Sequence, residues 1–239
     1  MVTTTARAQT RLTVDPKTSL VWWQVSPHLN HLWATTCPAD PSWRPGENRS
    51  PGWRFSPRLK LPNTGYANVD DTINVPLYPR DRVHAICTEA ARGEVLLPDT
   101  VTWRGAHAEV FVQSEAIISG EAMRDVLMHQ MLQSKQYPEM KFTLDSLVGT
   151  TTPEDVFNGL AYGTLTVTTR DKPIVATVRA FRDAGGLRVL AKWRFPAVVL
   201  ITDLTPKLKH LGLGASTNLW HDFFMGVDFI LRPETKAAN

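Results

Sequence analysis

The sequence predicts a mainly β, antiparallel fold that closes, or nearly closes, into a barrel, with one short amphipathic helix and a long proline-rich insertion. Three observations predict it. Apolar and polar residues alternate with period two over many separate segments, the mark of strands with one buried and one solvated face. Strand signals do not alternate with helical ones, which excludes a doubly wound parallel sheet. A glycine-rich link, Arg182 to Gly186, joins two of the alternating segments as a hairpin loop.

In chain order, Asp15 to Val25 (DPKTSLVWWQV) reads as an entry strand, because β-branched and aromatic residues dominate it after a Pro-Lys-Thr turn. The composition then changes. Pro38, Pro41, Pro45, Pro51, Pro57, Pro62, Pro76 and Pro79 follow one another closely. Prolines at that density remove backbone donors and forbid long helices or central strands. Residues 37–94 are therefore read as an insertion within one domain of residues 1–239.

Strand signals return after Gly93. Ala108, Val110 and Val112 share one face while His107, Glu109 and Gln113 share the other, with Phe111 the apolar exception. A helix is expected over about residues 121 to 133, where Met123, Val126, Leu127 and Met131 form an apolar stripe. Pro138 cannot continue that helix and biases Tyr137 toward extended backbone, leading into a strand through Phe142. Leu165 and Val167 alternate with Thr164, Thr166 and Thr168. Ile174, Ala176, Val178 and Ala180 line one side of the next strand. In the strand after the hairpin, Leu187, Val189, Ala191, Trp193 and Phe195 oppose Arg188, Lys192 and Arg194. The last strand places Phe223, Met225, Val227, Phe229 and Leu231 together.

Composition excludes several function classes. A net charge of +3 over 239 residues is too small for nucleic-acid binding through bulk electrostatics. No stretch reaches the roughly 18 to 20 apolar residues a membrane helix needs. His28 and His31 form an H-x-x-H pair, yet a metal site needs three or four converging ligands, so no metal is expected. No G-x-S-x-G elbow or comparable nucleophile motif appears, and no enzyme activity is expected. The start contains Ala6-Arg7-Ala8, similar to the tail of a signal-peptide cleavage site. It points to a periplasmic or secreted protein, or to a cytoplasmic one if Met1 is the native start.

Two features admit alternatives. Cys37 and Cys87 are either one disulfide or two unrelated thiols, and export would favour the bridge because they bracket the insertion. The insertion is either a flap packed on its own barrel or a docking element. Trp43, Arg44, Trp53, Arg54 and Arg58 are of the residue types that dominate interface hot spots. The docking reading makes the chain an accessory structural subunit of a larger, membrane-associated or soluble, protein assembly.

Several segments resemble the YceI-like family. YPEMKF (Tyr137 to Phe142) is similar to the family's Tyr-Pro-x-x-x-Phe, and the preceding MRDVLMHQMLQSKQ to its Arg-Asp-x-x-Leu helix. YGTLTVTTRDKPI (Tyr162 to Ile174) is similar to its Gly-x-Leu-Thr strand and Lys-Pro, and LTVDPKTSLVWWQVSPHLNHL to its Asp-x-x-x-Ser strand. The match covers roughly residues 12 to 36 and 95 to 232. Residues 37–94 have no counterpart in it, and ITDLTPKLKHLGLGAS (Ile201 to Ser216) replaces the usual acidic-Phe-Gly ending of a late strand.

The resemblance implies a lipocalin-like closed barrel that holds a long-chain apolar molecule (a polyisoprenoid, a quinone or another lipid) and needs no other cofactor. Its lining would come from Val110, Val112, Leu127, Met131, Tyr137, Phe142, Leu165, Val167, Val178, Val189, Trp193, Val227 and Phe229. Periodicity alone favours a core filled by those side chains; the resemblance reverses that preference.

Overall fold

The computed structural model describes residues 10–26, 32–37, 87–99, 102–120, 122–151, 156–183, 185–196 and 222–234; at 24–26, 32, 33, 123, 124, 127, 194–196 and 222–224 it describes the backbone only. The strands are β1 (Thr10–Val14), β2 (Leu20–Ser26), β3 (Leu32–Thr35), β4 (Ala91–Leu97), β5 (His107–Gln113), β6 (Glu139–Thr150), β7 (Phe157–Val167), β8 (Arg170–Asp183), β9 (Gly186–Pro196) and β10 (Asp222–Pro233). One helix, α1 (Ala122–Met131), lies between β5 and β6. Trp43, Arg44, Trp53, Arg54 and Arg58, expected from sequence to suit docking, and the His28–His31 pair lie outside the described residues.

Hydrogen-bonded neighbours run β1-β4-β5-β6-β7-β8-β9-β10, and β10 pairs back onto β1 from Leu12↔Pro233 to Val14↔Leu231. Eight antiparallel strands thus close, and the expected barrel is the architecture found. The expected entry strand is divided. Asp15 accepts from the Lys17 N–H on its side chain (3.0 Å) and from the Ser19 N–H on its carbonyl (3.0 Å), which turns the chain. β1 precedes that turn and β2 follows it, both against β10, and β3 continues the sheet beside β2. β4 begins at Ala91, so the barrel takes up four residues read from sequence as insertion.

Cys37, just after β3, is joined by a disulfide to Cys87, just before β4. The same junction is held by Thr88, whose N–H and hydroxyl both donate to the Thr36 carbonyl at 3.2 and 3.0 Å. It sits at the end of the barrel that also carries α1, here the helix end. The far end holds the β8–β9 hairpin, where Gly185 supplies the left-handed φ of 81° that the tight turn requires.

The excursion between β5 and β6 is stitched to itself and to β3. The Ser114 N–H donates to the Pro138 carbonyl at 2.8 Å, so entry and exit lie side by side. His129 Nε2–H donates to the Ile117 carbonyl (2.9 Å), and Asp125 accepts from both the N–H and the hydroxyl of Ser119. Thr35 and Ile118 exchange backbone hydrogen bonds, which covers the edge of β3 and answers its unpaired donors. The buried stripe differs from the one expected. Val126 is 55% exposed, whereas Met128 and Leu132, spaced i, i+4, are buried.

Alternation also fails along one wall. Outward-facing Thr177, Leu190, Lys192, Asp228, Ile230 and Trp22 on β8, β9, β10 and β2 are buried, so at these positions the strands are covered on both faces. Lys192 and Arg188, read from sequence as solvent-facing, are buried and half-buried there. Trp22 is opposite Gly226, and a Cβ at Gly226 would lie 2.2 Å from the Trp22 ring. Gly226→Ala must therefore shift a fully buried indole. It is expected to cost about 1–3 kcal/mol, read as a lower urea midpoint at unchanged slope.

Candidate functional site

The inward faces of the strands meet around a cavity of about 110 Å³. Every residue around it is apolar or a tryptophan: Val21, Val95, Trp103, Ala108, Val110, Val112, Met140, Phe142, Leu144, Leu147, Ala161, Leu165, Ile174, Ala176, Val178, Val189, Ala191, Trp193, Met225, Val227, Phe229 and Leu231. No charged side chain belongs to this described wall, so the lumen offers dispersion contacts and desolvated surface rather than ion pairing.

Among the expected lining residues, the lumen brings together Val110, Val112, Phe142, Leu165, Val178, Val189, Trp193, Val227 and Phe229. Three others sit elsewhere. Met131 is half-buried on α1, and Val167 packs half-buried at the end of β7. Tyr137 lies before β6, where its hydroxyl accepts from Gln136 Nε2 at 3.1 Å. The side chain of Leu127 lies outside the described residues.

Two quoted motifs meet inside the barrel. Leu144 pairs with Gly163, and Phe142 with Leu165. The Phe142 ring lies where a Cβ on Gly163 would stand, 2.5 Å away. The glycine of the Gly-x-Leu-Thr segment is thus the space occupied by the aromatic ring of the Tyr-Pro-x-x-x-Phe segment.

Two further wall residues carried no earlier signal. Leu147 faces inward because the β6–β7 register shifts between Leu144 and Ser146, which reverses parity after the irregularity. Trp103 comes from the β4–β5 loop, not a strand. Its backbone takes φ 58°, rare for a bulky side chain. The loop is pinned by Asp99, which accepts the Trp103 N–H on its carbonyl (2.9 Å) and the Thr102 hydroxyl on its carboxylate (2.8 Å). The Trp103 ring then stacks on Phe157 with centroids 5.3 Å apart and plugs the far end of the barrel.

No group of three His, Cys, Asp or Glu side chains among the described residues is placed to hold a metal ion. The described lumen wall holds no acid, base or nucleophile, and what it can do is receive an apolar body.

No family model and no curated protein matches the sequence. Solved structures do match. BcnA from Burkholderia cenocepacia is 10% identical with a TM-score of 0.55, covering 91% of this chain and 98% of BcnA. A polyisoprenoid binding domain from Saccharophagus degradans, implicated in plant cell wall breakdown, is 12% identical with a TM-score of 0.48, covering 92% of this chain and 95% of its own. The YceI protein of Campylobacter jejuni is 16% identical with a TM-score of 0.45, over 61% of this chain and 82% of its own. The chain shares the fold of BcnA, and the closed antiparallel barrel expected from the sequence is the architecture found.

Proposed function

We propose that the barrel binds a long-chain apolar molecule (a polyisoprenoid, a quinone or another lipid) in its lumen and carries it without chemical change. The observation that carries this reading is the lumen wall itself, apolar on every described strand that contributes to it. Each methylene buried there contributes roughly 0.8 kcal/mol, so length alone supplies affinity.

The cavity of about 110 Å³ is smaller than the roughly 300–1,000 Å³ of common ligand pockets. A long chain therefore enters by displacing side chains. Met140 and Met225, unbranched and adaptable, are the wall residues that yield most readily. Export to an oxidising compartment belongs to the same reading, and the Cys37–Cys87 disulfide supports it. Cell fractionation that finds the native chain in the cytoplasm would remove that part.

Organic extraction of the purified protein followed by mass spectrometry tests the carrier reading. A long-chain lipid is expected in near-stoichiometric amount. Ala176→Leu, which fills the lumen from a buried wall position, is expected to cost about 1–3 kcal/mol and to abolish lipid recovery while the barrel stays folded. An extract without lipid, or undiminished recovery from a folded Ala176→Leu protein, would defeat the reading.

A further inference from the structure

Two groups in the lumen wall are not apolar. The indole Nε1–H groups of Trp103 and Trp193 are buried and have no hydrogen-bond partner among the described residues. Trp103 is 3% exposed and Trp193 7%. A buried indole N–H ordinarily finds an acceptor, and leaving one unmade costs the desolvation of that group. The two lie toward opposite ends. Trp193 pairs with Met225 on the helix-end half of β9, while Trp103 closes the far end.

Trp103 is the more constrained of the two. A left-handed φ of 58° places a bulky side chain in a sparsely populated backbone region. The Asp99 contacts and the stacked Phe157 ring hold it there. A water molecule needs two to four polar partners. The described wall offers no polar side-chain group besides the two separated indoles, so the acceptor has to arrive on the ligand. It also has to be uncharged, because no cation in that wall would compensate an anion.

We propose that the Trp103 indole N–H is a specificity-determining donor for an uncharged carbonyl oxygen, so that the lumen prefers a long-chain lipid bearing a carbonyl over a plain hydrocarbon. The inference rests on the carrier reading above and names the chemical class of its ligand. The carbonyl enters first and meets Trp103 at the far end, and the alkyl chain trails toward the helix end.

The test uses the full chain after delipidation and two probes of equal length, a long-chain methyl ketone and the corresponding alkane, with dissociation constants from quenching of tryptophan fluorescence. The ketone is expected to bind the wild type about tenfold more tightly, as one added hydrogen bond to a buried donor predicts. Trp103→Phe keeps a ring to stack on Phe157 and removes the N–H; it is expected to hold the alkane at the wild-type affinity and to bind the ketone more weakly than the alkane, because the carbonyl is then buried unpaired. The Trp103 indole proton resonance is expected to move downfield with the ketone and not with the alkane. Equal binding of the probes to wild type, or a ketone preference that survives Trp103→Phe, would overturn this inference alone. So would a preference lost only in Trp193→Phe. If neither probe binds the wild type, the carrier reading falls and takes this inference with it.

Discussion

Replacing both cysteines, Cys37→Ser with Cys87→Ser, is expected to lower the free energy of unfolding by about 4 kcal/mol. The bond spans 50 residues, and in the chain-entropy model a cross-link stabilises by restricting the unfolded ensemble. The folded junction keeps its own hydrogen bonds, from the N–H and hydroxyl of Thr88 to the Thr36 carbonyl and from the Val21 N–H to the Thr36 hydroxyl at 3.0 Å. The native barrel should therefore persist. Equilibrium urea unfolding checks this: the midpoint falls, and the slope rises because the unfolded chain exposes more surface. A loss below about 1 kcal/mol would show that closing this loop is not what the bond contributes.

Asp228→Ala is expected to cost about 3–5 kcal/mol. Arg188 donates to both carboxylate oxygens of Asp228, Nε to Oδ1 at 2.8 Å and a terminal nitrogen to Oδ2 at 2.6 Å. The Arg188 and Asp228 side chains are 21% and 6% exposed. Burial by itself pulls the Arg188 pKa down, but the hydrogen bond and charge of Asp228, with the charge of Asp183, raise it above its ordinary value. Arg188 therefore stays a cation at every working pH, and removing Asp228 leaves that largely buried charge without its bidentate partner. Replacing both partners by apolar residues, Arg188→Met with Asp228→Leu, is expected to recover most of the loss. Stability by urea unfolding of the single and double variants decides it. A single variant within about 1 kcal/mol of wild type would mean that the pair behaves as a solvated one.

Where one face of a strand meets the lumen and the other meets water, composition is enough to read it. Val110 and Val112 against His107 and Gln113, or Leu165 against Thr164 and Thr166, face as their hydropathy dictates. The same logic fails in three places. On β8, β9, β10 and β2 several outward residues are buried too, and an Asp or Arg that belongs to a buried ion pair looks in sequence like one in solvent. On β6 a register shift reverses parity, which no local pattern announces. On α1 the stripe through Val126 is nearly as apolar as the one through Met128 and Leu132, and only packing chooses between them.

By itself, then, the order of residues determined a closed antiparallel barrel, because period-two alternation repeated along a chain without intervening helices leaves few other ways to bury one face of every strand. It also determined most of the lumen wall, since inward positions follow parity wherever the register is regular. Tertiary structure alone decided that the far end of the barrel is plugged, and by what. Trp103 reaches the lumen from a loop whose backbone conformation is set by Asp99 and Phe157, partners on opposite sides of it in the chain. It also decided that Phe142 occupies the space left by Gly163, and that Trp22 lies over Gly226. Those contacts join residues far apart in sequence, and their energies depend on shape and distance, which composition and periodicity do not encode.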